Sequence, residues 1–182
     1  MMMGEAAQRD LTPPRATEMV GRRYAALPPL IRAMRPIQWS KNSLVFAALL
    51  FDRQVFNLES VVRCLAAALV FCAVSSAIYL INDVRDVEQD KLHPRKRYRP
   101  IASGQVSIGQ AKRIAVLLFV VGLICAVAIH IEFALVIVGY VTLMTAYSYG
   151  LKRLVIVDVF AIATGFVLRA MGGAVALQVA AS

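Results

Sequence analysis

The chain has 182 residues, of which 59% are apolar and 17% charged, and its mean hydropathy is +0.67. Soluble domains are usually about 45–50% apolar and about 25% charged, so this composition excludes a soluble globular protein, a disordered chain, a collagen and a disulfide scaffold. The net charge of +9 is then more typical of a membrane protein with basic cytoplasmic loops than of a nucleic-acid-binding protein.

The first 29 residues differ from the rest of the chain. They contain four prolines and several charges, but no apolar stretch that could serve as the core of a signal peptide. We therefore predict a disordered cytoplasmic tail over residues 1–29 and one membrane domain over residues 30–182. Three cysteines lie inside apolar runs without metal-ligand spacing, which indicates ordinary core residues: Cys64, Cys72 and Cys125.

Beyond the tail, the sequence consists of apolar runs of the length that a transmembrane helix needs, about 20 residues. The predicted fold class is therefore all-α, a multi-pass transmembrane bundle of about five helices joined by short loops. The first predicted span is unusual because its first half is polar. The spans are residues 31–51, 60–82, 114–129, 133–151 and 154–177.

The basic residues predict how these spans are oriented. Seventeen of the 20 Lys and Arg lie before residue 42, in residues 83–113, or in the turn after the fourth span, and only two lie in the opposite loops. Cytoplasmic loops are enriched in Lys and Arg, so we predict that these three regions face the cytoplasm. The expected location is the inner or plasma membrane, with the N-terminus and the active site on the cytoplasmic side.

An acidic motif continues the second span beyond its apolar part. On a helical wheel its four polar residues share an arc of about 100°. Like charges one turn apart destabilise a helix, and a hard cation such as Mg²⁺ removes that cost through oxygen ligands and substrate phosphates. A solvated charge run is the alternative, but the shared face favours a Mg²⁺–diphosphate site. The predicted ligands are Asn82, Asp83, Asp86 and Asp90.

A basic loop follows, over residues 91–104, in which six of the first nine residues are Lys, Arg or His. Such a loop attracts lipid headgroups at about 1 kcal/mol per basic residue. Its position next to the acidic motif indicates a further role, because arginines bind phosphate oxygens bidentately. Arg97 and Arg99 are the candidates, while His93 is more simply a loop residue than a general base.

Polar residues in other spans are expected to line the same cavity. Four in the first span share an arc of about 120° and are too polar to face lipid: Arg35, Gln38, Lys41 and Asn42. The cytoplasmic end of the fourth span adds Tyr147 and Lys152. In the fifth span, Asp158 lies close enough to the cytoplasmic end to line the site. For Arg169, a structural role or a contact with further helices is expected instead.

Taken together, these residues resemble the UbiA superfamily of intramembrane prenyltransferases. The resemblance is carried by the run Asn82-Asp83-x-x-Asp86-x-x-x-Asp90 and by the stretch from Arg97 to Gly104. Within the superfamily, the flanking sequences are most similar to the branch that acts on decaprenyl phosphate. Members of the family have about nine helices, so we expect this chain to be an incomplete copy, lacking helices at its C-terminus, and to be inactive alone.

The resemblance implies a Mg²⁺-dependent transfer of a phosphoribosyl group from phosphoribosyl diphosphate to a polyprenyl phosphate, with release of diphosphate. Asp83 and Asp86 would be the catalytic and metal-binding residues, assisted by Asn82 and Asp90. Phosphate oxygens would be held by Lys41, Asn42, Arg97, Arg99, Tyr147 and Lys152. The expected partners are these substrates and membrane lipids, with no nucleic acid, and in addition a missing C-terminal half or a second copy of the chain.

Two alternatives stay open at this point. The first is transfer of a polyprenyl group from its diphosphate to an aromatic acceptor, because the acidic motif serves any reaction that releases diphosphate. The second is an inactive fragment or a non-enzymatic membrane bundle, although such a bundle does not need three aligned carboxylates beside a basic loop.

Overall fold

The computed structural model of the protein describes residues 24, 26–149 and 155–178, except for the side chains of residues 155, 156 and 158. The predicted tail therefore lies largely outside the described residues. All regular structure in the described part is helical, which confirms the predicted fold class. The α-helices are α1 (Pro29–Ala33), α2 (Ala47–Phe51), α3 (Leu58–Arg85), α4 (Val87–Leu92), α5 (Ile108–Ile129), α6 (Ile131–Tyr149) and α7 (Val155–Ala176).

Four of these helices are long and apolar enough to cross a membrane: α3, α5, α6 and, over Val159–Ala176, α7. They correspond to the second to fifth predicted spans. Helix α3 lies at the centre and contacts the other three. Both α3 and α5 begin at a capping side chain, since Asn57 accepts a hydrogen bond from the Ser60 amide and Ser107 accepts one from the Gln110 amide.

The first predicted span is helical but broken, with a 3₁₀ helix (Pro36–Phe46, hereafter the 3₁₀ segment) between α1 and α2. Arg35 precedes it in the left-handed region, with φ 56°, and Pro36 then begins the new helix. Eleven residues is long for a 3₁₀ helix, whose runs rarely exceed 3–4 residues. With about three residues per turn, Asn42 and Val45 fall on one face, and both are buried.

The single cavity predicted for the polar residues of this span is wrong. Arg35 and Gln38 line one cavity, Lys41 lines a second, and Asn42 is buried in the core. On an α-helix Asn42 would lie between Arg35 and Gln38, whereas on a 3₁₀ helix Gln38 and Lys41 share one face and Asn42 lies about 120° from it, on the face of Val45.

The apolar core is built around Phe71 of α3, whose ring meets those of Phe133 and Tyr140 edge-to-face at centroid distances of 5.9 and 5.4 Å. Two adjacent glycines bring α7 against this core. A Cβ on Gly172 would lie 2.7 Å from the Phe71 ring, and one on Gly173 would lie 1.9 Å from the carbonyl oxygen of Val45 in the 3₁₀ segment. Helix α7 therefore touches the backbone of the 3₁₀ segment directly.

At the other end of α3, the helix does not continue unbroken through the acidic motif as predicted. It ends at Arg85, and α4 begins at Val87, with Asp86 between them at φ −88° and ψ 7°. The break is small, because the Asp86 amide still donates to the Asn82 carbonyl and the Asp90 amide to the Asp86 carbonyl, each at 2.9 Å.

The basic loop after α4 is packed onto the bundle. Ile101 of the loop and Val106, which follows it, are buried against Ala77 and Leu80 of α3 and against the start of α5. Gly104, with φ 78°, provides the turn that returns the chain to α5. This packing holds the arginines of the loop above the end of α3.

Candidate active site

Asp83, in the last turn of α3, is the centre of the candidate site. Only 4% of its side chain is exposed. Its Oδ1 accepts hydrogen bonds from Nη2 of Arg35 at 2.5 Å and from Nη1 of Arg99 at 3.2 Å. Arg35 also lies over the ring of Tyr79, one turn before Asp83, with 4.9 Å between its Cζ and the ring centroid. A buried carboxylate is thus held between two arginines from distant parts of the chain.

Arg99 joins Asp83 to a second buried carboxylate. The same Nη1 atom donates to Oδ2 of Asp90 at 2.7 Å, and the Asp90 side chain is also 4% exposed. The third acid of the motif, Asp86, lies beside Arg85 instead, with 3.0 Å between its Oδ1 and the Arg85 Nε. The structure therefore brings Asp83 and Asp90 together around one cation, as their shared face predicts, whereas Asp86 sits at the break between α3 and α4.

Asp83 opens onto a cavity of about 340 Å³ at the predicted cytoplasmic end, which we call the arginine pocket. Four arginines and this one carboxylate line it, so the pocket is strongly cationic and suits an anion with several phosphate oxygens. Its charged and amide lining residues are Arg32, Arg35, Gln38, Asp83, Arg95 and Arg99. Of these, Arg32 and Arg95 were not predicted as site residues, because their basic character alone does not distinguish them from lipid-facing cations.

A second cavity, of about 210 Å³, lies between α3, α6, α7 and the 3₁₀ segment; we call it the inner chamber. Asn82, which precedes Asp83, lies on its wall and donates from Nδ2 to the Ser148 hydroxyl of α6 at 2.9 Å. The other polar residues that line it include Lys41, Tyr79, Tyr140, Tyr147 and Arg169. Asn82 and Asp83 thus stand between two cavities, one at the end of the bundle and one inside it.

Arg169 lies on the wall of the inner chamber and is only 6% exposed. Its Nε donates to Asn42 Oδ1 at 2.8 Å, its Nη1 to the Gly165 carbonyl at 2.7 Å, and its Nη2 to the Tyr140 hydroxyl at 2.7 Å. The Tyr140 ring also lies under the guanidinium, with 4.8 Å between Cζ and the centroid. Asn42, predicted to bind phosphate, is therefore placed against Arg169 and away from the acidic motif.

The remaining predicted residues lie at the edge of the site or outside it. Arg97 is exposed and is not among the residues that line the arginine pocket, but it donates to the hydroxyl of Tyr98, which lines it, at 2.7 Å. His93 accepts hydrogen bonds at Nδ1 from the backbone amides of Arg95 and Lys96, which identifies it as a loop-stabilising residue. Lys152 and the side chain of Asp158 lie outside the described residues.

The carboxylate oxygens at this site are donors of the kind that bind a hard divalent cation. Asp83 and Asp90 turn oxygens toward the same guanidinium nitrogen, so a positive charge already stands where the two carboxylates converge. Oxygen donors from one or two carboxylates, completed by substrate phosphates, are what Mg²⁺ takes in proteins. Within residues 26–149 and 155–178, however, no three His, Cys, Asp or Glu side chains group closely enough to hold a metal without such a substrate.

Comparisons with known proteins give matches to one family. The model of the UbiA prenyltransferase family matches residues 43–182. The decaprenyl-phosphate phosphoribosyltransferase of Corynebacterium glutamicum is 43% identical over 151 residues, which cover 81% of this chain and 46% of that protein. Its counterpart from Mycolicibacterium smegmatis is 40% identical over 154 residues, 82% of this chain and 48% of the relative. This chain therefore spans about half the length of these relatives.

A solved structure shows the same fold. The UbiA homolog from Archaeoglobus fulgidus bound to GPP and Mg²⁺ superposes with a TM-score of 0.66 at 23% identity, over 84% of this chain and 55% of that protein. At this level of identity the similarity concerns the arrangement of the helices.

Proposed function

This chain belongs to the UbiA prenyltransferase family, and from that premise we propose that it forms the diphosphate-binding half of a membrane-embedded phosphoribosyltransferase. The donor is phosphoribosyl diphosphate, taken from the cytoplasm, and the acceptor is a polyprenyl phosphate in the bilayer. The observation that carries the proposal is the buried pair Asp83 and Asp90 around Arg99, of which Asp83 and Arg99 line a pocket with four arginines. The names of the relatives from Corynebacterium and Mycolicibacterium support the choice of substrates.

In this proposal, Arg35 and Arg99 bind the diphosphate oxygens of the donor and orient its ribose toward Asn82 and the inner chamber. An oxygen of the acceptor phosphate forms a bond to the ribose C1, while the bond from C1 to the diphosphate breaks and diphosphate leaves. Mg²⁺ held by Asp83 and Asp90, with Asp86 and Asn82 close by, would neutralise charge on the leaving group. Fixed cations around a departing anion stabilise it most where water is excluded, as at the buried Asp83.

A second candidate is transfer of a prenyl group from its diphosphate to another acceptor. It is favoured by the GPP and Mg²⁺ bound in the related structure from Archaeoglobus fulgidus. The donor that binds distinguishes the two functions, because phosphoribosyl diphosphate carries a polar ribose whereas geranyl diphosphate carries an apolar chain.

The test is binding of each donor to the purified chain by isothermal titration, with and without Mg²⁺. We expect Mg²⁺-dependent binding of phosphoribosyl diphosphate that Asp83→Asn weakens at least about tenfold, or about 1.4 kcal/mol. The matched control is Glu88→Gln, since Glu88 is largely exposed and pairs with Lys91 at 2.7 Å. Equal binding by both variants, or binding of geranyl diphosphate alone, would contradict the proposal.

A further inference from the structure

The guanidinium of Arg99 occupies the space between the two buried carboxylates of the acidic motif. Its Nη1 atom is 3.2 Å from Oδ1 of Asp83 and 2.7 Å from Oδ2 of Asp90. Mg²⁺ takes oxygen ligands at about 2.0–2.1 Å, so an ion bound to both oxygens could not share this space with the Nη1 atom. A cation of the protein itself therefore stands where the two carboxylates would share a metal.

The formal charges at this point already balance. Asp83 and Asp90 carry two negative charges, and Arg35 and Arg99, which donate to them, carry two positive charges. Each carboxylate is only 4% exposed, so an added Mg²⁺ would bring two uncompensated positive charges into a site with little water. Removal of Arg99 lowers this excess to one positive charge, and the phosphate oxygens of a donor neutralise the rest. Metal and donor therefore favour each other's binding.

The Arg99 side chain can leave the carboxylates without unfolding of the basic loop. Its backbone is held on both sides, since its amide donates to the Lys96 carbonyl and its carbonyl accepts from the Ser103 amide, each at 2.9 Å. The side chain is 29% exposed and lines the arginine pocket of about 340 Å³. Rotation about its side-chain bonds therefore moves the guanidinium from the carboxylates into that pocket.

We propose that Arg99 is an internal substitute for the metal ion, which keeps Asp83 and Asp90 closed to a divalent cation until a diphosphate arrives. The diphosphate binds the guanidinium in the arginine pocket, and the two carboxylates are then free to bind Mg²⁺. Metal and donor thus bind as one coupled event. This inference rests on the proposed function and adds how binding at the same site is regulated.

The test is binding of Mn²⁺ alone to the 182-residue chain in phosphatidylcholine nanodiscs, with the free ion measured by electron paramagnetic resonance. Without any diphosphate, Arg99→Gln should bind Mn²⁺ at least about tenfold more tightly than the unaltered chain, because the bridging cation is gone. The matched control is Arg97→Gln, which removes the same charge from the same loop, where Arg97 donates to Tyr98 and not to either carboxylate. Its affinity for Mn²⁺ should be unchanged.

A double variant locates the ion. Adding Asp90→Asn to Arg99→Gln should abolish the gain in affinity, since one of the two carboxylates is lost. A gain that persists in the double variant would place the ion elsewhere and overturn the inference. Binding of Mn²⁺ by Arg99→Gln that is no tighter than by Arg97→Gln would also overturn it. Thermal unfolding checks that each variant folds.

The unaltered chain provides a second measurement, which depends on no variant. Saturating inorganic diphosphate should raise its affinity for Mn²⁺ at least about tenfold, after correction for Mn²⁺ bound to free diphosphate, and the rise should be smaller in Arg99→Gln. Equal affinity with and without diphosphate would overturn the inference. Coupling to inorganic diphosphate without any binding of phosphoribosyl diphosphate would support the inference and contradict the proposed donor.

Discussion

Arg169 shows most clearly what a single residue contributes to this bundle. A charge at the centre of a transmembrane helix costs at least about 2.5–3.5 kcal/mol on insertion scales, so it persists where other residues satisfy it. Here Asn42 and Tyr140 accept two of its hydrogen bonds, and Gly165 on the preceding turn accepts the third. Arg169 and these partners, which we call the Arg169 node, join α7 to the 3₁₀ segment and to α6.

We expect Asn42→Leu to destabilise the chain by about 1–3 kcal/mol, because it leaves the Nε of Arg169 buried without an acceptor. Asn42→Asp keeps the acceptor oxygen and adds a compensating charge, so it should be at least as stable as the unaltered chain. Thermal unfolding in detergent measures both. An Asn42→Leu variant that unfolds at the same temperature as the unaltered chain would show that the node contributes nothing.

The carboxylates of the acidic motif and the hydrogen-bond partners of Arg169 differ in how far the sequence predicts them. Asp83 and Asp90 are about two helical turns apart, and the break at Asp86 is small enough that a helical wheel still places them on one face. The partners of Arg169 include a residue 127 positions earlier, and no local pattern in either segment indicates that contact. Arg99 lies between these cases, since it was predicted to bind phosphate next to the acidic motif, but its bridge between the carboxylates of Asp83 and Asp90 was not predicted.

Among the elements, the 3₁₀ segment departs most from expectation. The four long helices follow apolar runs, so their positions were predicted to within a few residues, apart from the earlier start of α5 at Ile108. The 3₁₀ segment instead has its polar residues distributed by tertiary contacts with α3 and α7. The Trp39 indole donates to the Ser76 hydroxyl at 3.0 Å, and Asn42 donates to the Cys72 sulfur at 3.2 Å. The sequence of the segment alone does not predict these contacts.

The close approach of α7 to this segment yields a second stability prediction. Gly173→Ala would place a methyl group 1.9 Å from the Val45 carbonyl oxygen, so the two elements must separate. We expect a loss of about 1–3 kcal/mol, the usual cost of overpacking, measured as a lower unfolding temperature.

The matched control for this change is Gly139→Ala on α6. A Cβ at Gly139 meets nothing within 4 Å, and alanine is about 0.5–1 kcal/mol more favourable than glycine within a helix. This variant should therefore be neutral or slightly stabilised. Equal behaviour of the two variants would contradict the close packing of α7.

At the scale of the whole molecule, the four membrane-crossing helices establish a multi-pass membrane protein, whereas its orientation stays a prediction. The arginine pocket, the basic loop and the start of α5 lie at one end of the bundle, as the distribution of Lys and Arg requires. If this end faces the cytoplasm, the donor of the proposed function would reach the arginine pocket directly from that side.

Cysteine labelling tests the orientation. In a background with Cys64, Cys72 and Cys125 replaced by alanine, Gln110→Cys should resist a membrane-impermeant maleimide in intact cells, and Glu132→Cys should react. Both positions are exposed, so accessibility depends on the side of the membrane. The opposite pattern would invert the topology and place the arginine pocket outside.

The contact between Asn42 and Arg169 also fixes an order of events during biosynthesis. The 3₁₀ segment precedes the four long helices in the chain and α7 follows the other three, so Asn42 is synthesised 127 residues before its partner. Membrane helices insert individually and associate afterwards, and the polar 3₁₀ segment has no such apolar run of its own. The inner chamber, which Lys41 and α7 both line, can therefore close only after α7 has been synthesised, whereas the arginine pocket has no lining residue from α7 and does not depend on it.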